Sequence, residues 1–407
     1  MEEAYIVLDK EFKQKVHSIP KIEELRKCFG CATCSSSCPA DIKPNQMAKA
    51  ILLGFEKPTQ NIWNCTMCIL CTTRCPQDAK PHEFWGELRS FNYTLGNAPK
   101  PYYDLSKSVE EKLNPLGSAK EDKLGWLNIR ERFYKRLLKT GKLEKEPKHG
   151  IFNIKNLTKE KCKTVYFIGC TTSLYARNSG IADSTLRLMM EAGEEPGIIG
   201  MEEGCCGYPL LLCGDNQTFR KIAKHNVETL EKMGVEKIVF SCAGCYRTFK
   251  KDYKNMFGEL NFETFHISEL LEKYFKEGVF EKPRERFKTK TTYHDPCELS
   301  RACDVIEQPR TILKYFLDSF AEMQNNKESS LCCGGGGLVK LTNSQLSSNI
   351  ATTRVKQAED IDAELILSAC PSCKLTLTDG VSTLGKKIKV LDITEFVAQK
   401  IGLIPEA

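Results

Sequence analysis

A duplication from about residue 161 onward constrains this chain more than any other feature. Cys170, Cys205, Cys206, Cys242 and Cys245 recur as Cys297, Cys332, Cys333, Cys370 and Cys373, at offsets of 127, 127, 127, 128 and 128 residues. The flanking segments repeat with them: TVYFIGC matches KTTYHDPC, EKIVFSCAGC matches AELILSACPSC, and ETFHISELLEKYF matches KVLDITEFVAQKI. Short apolar, β-branched runs alternate with longer segments of 3.6-residue period. Each copy therefore reads strand, Cys, helix, CC turn, helix, strand, CxxC, helix, strand, helix. That alternation predicts two small α/β domains, each with a largely parallel sheet. The first cysteine and the CxxC pair follow the predicted strands directly, at their carboxyl ends, where open α/β sheets gather ligand sites.

The 407 residues allow two or three domains with cores of ordinary size. By composition the chain divides into residues 1–97 with eight cysteines, a cysteine-free basic helical connector over 98–160, and the two copies, over 161–283 and 284–407, with thirteen. Cysteines grouped as CxxC and CC favour metal thiolates over a disulfide framework, and so a reducing, cytoplasmic setting. The opening MEEAYIVLDKEFKQKV has no apolar leader region. No stretch approaches the roughly 20 apolar residues of a spanning helix, so any membrane contact, at its inner face, is expected through a partner. The formal charge of +6 counts every cysteine as neutral. Two four-iron cubanes with their thiolates would bring it to about +2, which removes any argument for nucleic acid binding.

Cys28, Cys31, Cys34 and Cys38 precede Pro39, and Cys65, Cys68, Cys71 and Cys75 precede Pro76. Each run is the CxxCxxCxxxCP signature of a bacterial-type two-cluster ferredoxin, in which the fourth cysteine crosses to the other cluster. One [4Fe-4S] cubane is then expected on Cys28, Cys31, Cys34 and Cys75, and the other on Cys65, Cys68, Cys71 and Cys38. CxxC alone would also suit zinc, but zinc has no need of the longer run ending in CP, twice.

Each duplicated copy offers five cysteines where a cubane needs four. Adjacent thiolates such as Cys205 and Cys206 point different ways from one turn, so one can cap an iron while its neighbour bridges to a second, which makes a cluster other than a simple cube plausible. A zinc site or structural thiols stay open as alternatives. Gly207 and Gly334 to Gly337 would let the backbone approach the metal and adopt positive φ. They do not make a dinucleotide fingerprint, and no flavin or NAD site is evident.

The C, CC, CxxC module, with 34 and 35 intervening residues in the first copy and 34 and 36 in the second, resembles the CCG domain of heterodisulfide reductase. A ferredoxin-like N-terminus followed by two such copies is similar to the D-type subunit of heterodisulfide reductase over nearly the whole chain. The layout is also similar to the iron-sulfur subunits of glycolate, lactate and glycerol-3-phosphate dehydrogenases and of membrane-associated sulfite-reduction complexes. The resemblance implies one noncubane [4Fe-4S] cluster on Cys170, Cys205, Cys206, Cys242 and Cys245, and a second on Cys297, Cys332, Cys333, Cys370 and Cys373. It also implies a catalytic role for these ten cysteines in splitting a disulfide such as that of coenzyme M with coenzyme B.

Other residues carry weaker expectations. His294 could donate a proton to a departing thiolate or a hydrogen bond to a cluster sulfur. Arg301, like Arg177 in the first copy, could hold a substrate oxyanion, pair with Asp304, or neutralise cluster charge. Cys162, Cys213 and Cys303 read as buried small hydrophobes. The connector segment WLNIRERFYKRLLKTGKLEKE places Trp126, Ile129, Phe133 and Leu137 on one helical face opposite a basic one, suited either to its own domain or to an anionic surface. The leading expectation is a disulfide oxidoreductase subunit fed by a membrane cytochrome b, a flavoprotein or a ferredoxin, with a small thiol or disulfide as substrate. A relay subunit passing electrons from a flavin dehydrogenase toward quinone is the alternative, and a zinc-binding scaffold a third, non-redox reading.

Overall fold

The computed structural model describes residues 10–406 apart from 56, 282, 284, 285 and 319. The first nine residues, part of the opening stretch without an apolar leader region, lie outside the described residues.

Each copy builds a three-stranded parallel sheet in sequential order. In the first, β1 (Thr164–Phe167) pairs with β2 (Lys237–Phe240), which pairs with β3 (Glu263–His266). In the second, β4 (Thr291–His294), β5 (Leu365–Ser368) and β6 (Lys389–Asp392) repeat the arrangement. β1, β4 and β5 are buried along their whole length, because helices cover both faces, as is usual for parallel strands. The fold class read from the alternation of elements is thus observed.

The copies face each other about a pseudo-twofold relation. Helix Ser179–Glu191 of the first packs on Ile393–Lys400 of the second, and the equivalent pair, Ile267–Lys276 with Glu307–Phe316, packs likewise. One apolar core runs through both copies and takes in Tyr102, Leu105, Val109, Trp126 and Leu127 of the connector. Helix Gly125–Lys139 buries Trp126, Leu127 and Tyr134, while Ile129, Phe133 and Leu137 are only half-buried. The inward face is rotated from the expected one because Arg130 and Tyr134 both reach Asp183, which is wholly buried on Ser179–Glu191. This helix packs on the first copy and leaves Arg132, Lys135, Arg136 and Lys139 in solvent.

Before the connector, two cysteine loops repeat with an offset of 37 residues. Left-handed residues recur at Ala32 and Ile69, with φ of 64° and 66°, and at Asp41 and Asp78, with φ of 51° and 47°. A second core gathers Ile22, Leu25, Met47, Ile51, Phe84, Trp85 and Leu88, and it extends to Cys332 and Ile350 of the second copy. The N-terminal region is therefore packed directly on that copy.

Candidate metal centres

In both copies the loop after the first strand, the CC turn and the start of the helix after the second strand converge at the carboxyl end of the sheet. A short helix begins at Cys170 directly after β1, and Cys242 caps the helix that carries Cys245 after β2. In the second copy Cys297 starts Cys297–Cys303, and Cys370 caps Pro371–Thr383, which carries Cys373. Nine of the ten cysteines are buried and Cys297 is half-buried.

Nine of the ten sulfurs, all but that of Cys297, form one continuous series of contacts that ends on Cys68. Cys170 meets Cys205, Cys205 meets Cys206, Cys206 meets Cys245, and Cys245 meets Cys242. Cys242 then meets Cys370 across the pseudo-twofold, and Cys370 meets Cys373. Cys373 lies 3.2 Å from Cys333, which meets Cys332. Cys332 finally contacts Cys68 of the second ferredoxin-type loop.

In the N-terminal loops Cys71 is pushed well up, by burial first and then by the neighbouring Cys65, Cys68, Cys38 and Cys34. Cys65 is pushed up to about 12, again chiefly by burial. Cys38, the last cysteine of the first run, has Cys68 of the second run as a neighbour. Cys34 has Cys28 and Cys31 as neighbours. Cys75 closes the second run on the turn that repeats Cys38, with backbone bonds Cys75 N to Thr72 O and Asp78 N to Cys75 O.

The protons are shared unevenly. Cys206 is lowered to about 6 by hydrogen bonds from Cys205 and Cys245. Cys333, its equivalent, is held well below the ordinary thiol value by Cys332 and Cys373. Cys370 is lowered by Cys242 and Cys373. Ten clustered thiols can all ionise in so buried a place only if cations neutralise them, which is the donor chemistry of an iron-sulfur site. The residues present fit such a group in both copies.

A cavity of about 600 Å³ lies between the copies, lined by the first five cysteines and by Cys297, Cys333, Cys370 and Cys373. Leu116, Tyr175, Leu338 and Leu341 give it apolar walls, and Arg177, Lys340 and Asp379 give it charge. Arg177 and Lys340 both pair with Asp379, at 3.0 and 2.6 Å.

Arg301 does not line that cavity. Its Nε donates to Cys68 O at 2.7 Å, and one terminal nitrogen donates to Glu328 O and Ser330 O at 2.9 and 2.7 Å. It bonds three carbonyls rather than Asp304, and so ties the second ferredoxin-type loop to the segment entering the CC turn. Cys68, Cys297 and Cys332 surround the guanidinium, which suits charge neutralisation better than a hold on substrate. His294, at the end of β4, is 1% exposed and also stands behind the cavity wall. Cys162, Cys213 and Cys303 are buried, as expected of small hydrophobes.

Gly207, Gly334 and Gly335 donate their N–H groups to the sulfurs of Cys205, Cys332 and Cys333 at 3.4, 3.3 and 3.4 Å, and the rest of the second run makes a further close approach. A Cβ on Gly336 would meet Thr66 O at 2.4 Å, and one on Gly337 would meet Cys65 O at 2.1 Å. This part of the run brings the CC turn against the ferredoxin-type loop. Gly207, Gly334 and Gly337 do take positive φ, of 87°, 89° and 63°.

Arg89 belongs to no motif in the sequence. Wholly buried on Pro81–Thr94, it donates to Ile62 O and Cys65 O at 2.8 and 2.7 Å, and to Leu212 O and Gly337 O at 2.8 and 3.0 Å. It thereby joins the N-terminal loops to both copies. The available sequence cue is a charge on the same helical face as Phe84, Trp85 and Leu88.

Comparison with known proteins agrees with this construction. Residues 20–76 match the 4Fe-4S dicluster domain family, and residues 164–250 and 291–378 each match the cysteine-rich CCG domain family. The chain is 40% identical over 252 residues to the D-type subunit of dihydromethanophenazine:CoB–CoM heterodisulfide reductase of Methanosarcina acetivorans, covering 61% of each chain. It is 30% identical to EtfAB:quinone oxidoreductase of Syntrophomonas wolfei over 74% of this chain and 41% of that one. It is 28% identical to the probable iron-sulfur-binding oxidoreductase FadF of Bacillus subtilis over 72% of this chain and 40% of that one. A likeness to glutamate racemase isoform RacE1 from Bacillus anthracis covers 60% of this chain and 84% of that one, at 15% identity and a TM-score of 0.30, and carries no argument. The chain carries a 4Fe-4S dicluster domain and two cysteine-rich CCG domains, and is similar to the D-type subunit of heterodisulfide reductase.

Proposed function

We propose that this chain is an oxidoreductase subunit in which electrons pass from two [4Fe-4S] cubanes to noncubane clusters on the CCG cysteines, where a disulfide is reduced or formed in the cavity between the copies. The observation that carries this reading is the ten-cysteine series of sulfur contacts that starts at the second ferredoxin-type loop and ends in a cavity walled by both copies. When bound, the clusters would supply single electrons, and a disulfide needs two, which two facing centres can deliver together. Cys28, Cys31, Cys34 and Cys75 would hold one cubane, and Cys65, Cys68, Cys71 and Cys38 the other. The apolar walls flank the sulfurs, and the cations Arg177 and Lys340, both paired with Asp379, stand at the wall that Glu298 also lines. The electron donor would be a partner subunit such as a membrane cytochrome b, a flavoprotein or a ferredoxin, and among the described residues no helix is long and apolar enough to cross a membrane.

A second reading, a relay from a flavoprotein toward quinone, is favoured by the similarity to EtfAB:quinone oxidoreductase. Electron paramagnetic resonance with iron counting separates the two. About sixteen irons per chain and a new signal that appears only with an added thiol support the disulfide reading. Full iron loading without any thiol-dependent signal sinks it in favour of the relay.

A further inference from the structure

The duplication makes β1 and β4 equivalent strands, so Phe167 and His294 are equivalent residues, each ending its strand three positions before the first cysteine of its copy. Phe167 packs on Phe240 and Phe249 and offers no hydrogen-bond donor. His294 Nδ1 instead lies 3.1 Å from Arg354 Nε. A guanidinium can only donate, so Nδ1 must accept, and a neutral ring then carries its proton on Nε2. Arg354 is itself anchored by Asn325 O and Gln357 Oε1, both at 2.6 Å.

His294 Nε2 is buried and meets no partner among the described residues. One ring nitrogen of His294 and the sulfurs of Cys333 and Cys373 lie within 4.8 Å of one another, and Arg354 already engages Nδ1, which leaves Nε2 to meet them. A buried N–H left unsatisfied is costly, and these sulfurs are the acceptors at hand. Ligation of iron through Nε2 would require the proton on Nδ1. Metal-bound histidines donate that second N–H to a carboxylate or carbonyl, whereas here the second nitrogen faces a cation. Both copies carry charge beside their first cysteine, Lys123 and Glu203 at Cys170 and Glu298 and Arg301 at Cys297. Glu203, wholly enclosed, accepts from Ile168 N and Gly169 N at 2.9 and 2.8 Å beside Cys170.

We infer that the two CCG centres are electronically inequivalent: Arg354 fixes the tautomer in which His294 Nε2–H donates to sulfur of the second centre, which makes that centre the more easily reduced. An N–H bond to a cluster sulfur stabilises the added electron. The favoured centre is also the one whose Cys332 contacts Cys68, so electrons arriving from the cubane loops settle there first. The inference rests on the cluster reading above but not on the identity of any substrate.

The test is a redox titration of the iron-loaded full chain followed by electron paramagnetic resonance, with iron counting and exchange into deuterated water. Wild-type protein should give two distinct midpoint potentials, and the second centre should show an exchangeable proton coupling. His294→Phe, which copies the first half, should retain the iron, lose that coupling, and lower one midpoint while leaving the other unchanged. His294→Gln, which keeps an N–H donor, should restore part of the shift, and Arg354→Met should weaken the coupling. Unchanged midpoints in His294→Phe would overturn the inference. So would loss of about four irons together with a strong nitrogen coupling in wild type, which would make His294 a ligand. Wild-type protein without iron in the second copy would overturn the cluster reading as well, and the iron count distinguishes that failure from the others.

Discussion

Cys242 and Cys370 occupy equivalent positions in the two copies, and their thiols meet each other across the pseudo-twofold. Two residues related by such an axis touch only where the axis passes between them, so the copies place their CxxC turns back to back.

Because these two cysteines serve different copies, Cys242→Ala should remove iron from the first centre only, and Cys370→Ala from the second only. Each loss should be about four irons per chain, with the ferredoxin-type signals retained. Iron analysis and spectra of the two variants and of the double variant check this; loss of both centres from either single change would contradict it.

Arg89→Met should destabilise the protein by about 3 kcal/mol, since it leaves four buried carbonyls without donors between the N-terminal loops and the two copies. Arg89→Lys should recover only part of that loss, because an ammonium cannot reach four carbonyls in the plane of a guanidinium. Chemical denaturation of the iron-loaded chain gives the measurement, and a change below about 1 kcal/mol would show that the joint relaxes around the loss.

Arg301→Gln should leave iron content intact but lower the midpoint potential of the second cubane, because the positive charge beside Cys68 is lost. Arg301→Lys should keep most of the potential and lose the tie between the Cys68 loop and Ser330. A potential that is unchanged in the Gln variant would mean that Arg301 acts only as a structural clamp.

Asp392 caps Ile393–Lys400, accepting from Thr394 N and Oγ1 at 2.9 and 2.7 Å, while its other oxygen has no partner among the described residues. Burial, then the nearby Glu395, raises its pKa to about 7. An acid whose folded value lies above its unfolded value of about 3.9 binds its proton more tightly when folded. Its contribution to stability is thus fully present below about pH 4 and is lost as the pH rises toward 7. Asp392→Asn keeps the accepting oxygen and removes the titration, so its stability relative to wild type should rise between pH 4 and 7 by a total of about 2–4 kcal/mol. Denaturation midpoints of both proteins across that range check the sign.

The sequence by itself determined the duplication, the two sheets with their order of elements, the convergence of C, CC and CxxC at the strand ends, and the two ferredoxin-type runs. Those features are written in local periodicity and in cysteine spacing, which need no knowledge of what lies opposite. Only the tertiary structure decided which surfaces meet: the contact of Cys332 with Cys68, the axis between Cys242 and Cys370, the clamp of Arg89, and the turning of Arg301 away from the cavity. It also decided that Arg354 faces His294 Nδ1. Sixty residues separate that pair, and the direction of a hydrogen bond depends on the packing of a helix against a strand end rather than on any spacing along the chain. The inward face of Gly125–Lys139 departs from its periodicity for the same reason. A buried Asp183 on another helix draws Arg130 and Tyr134 toward it, and no pattern within the segment records that partner.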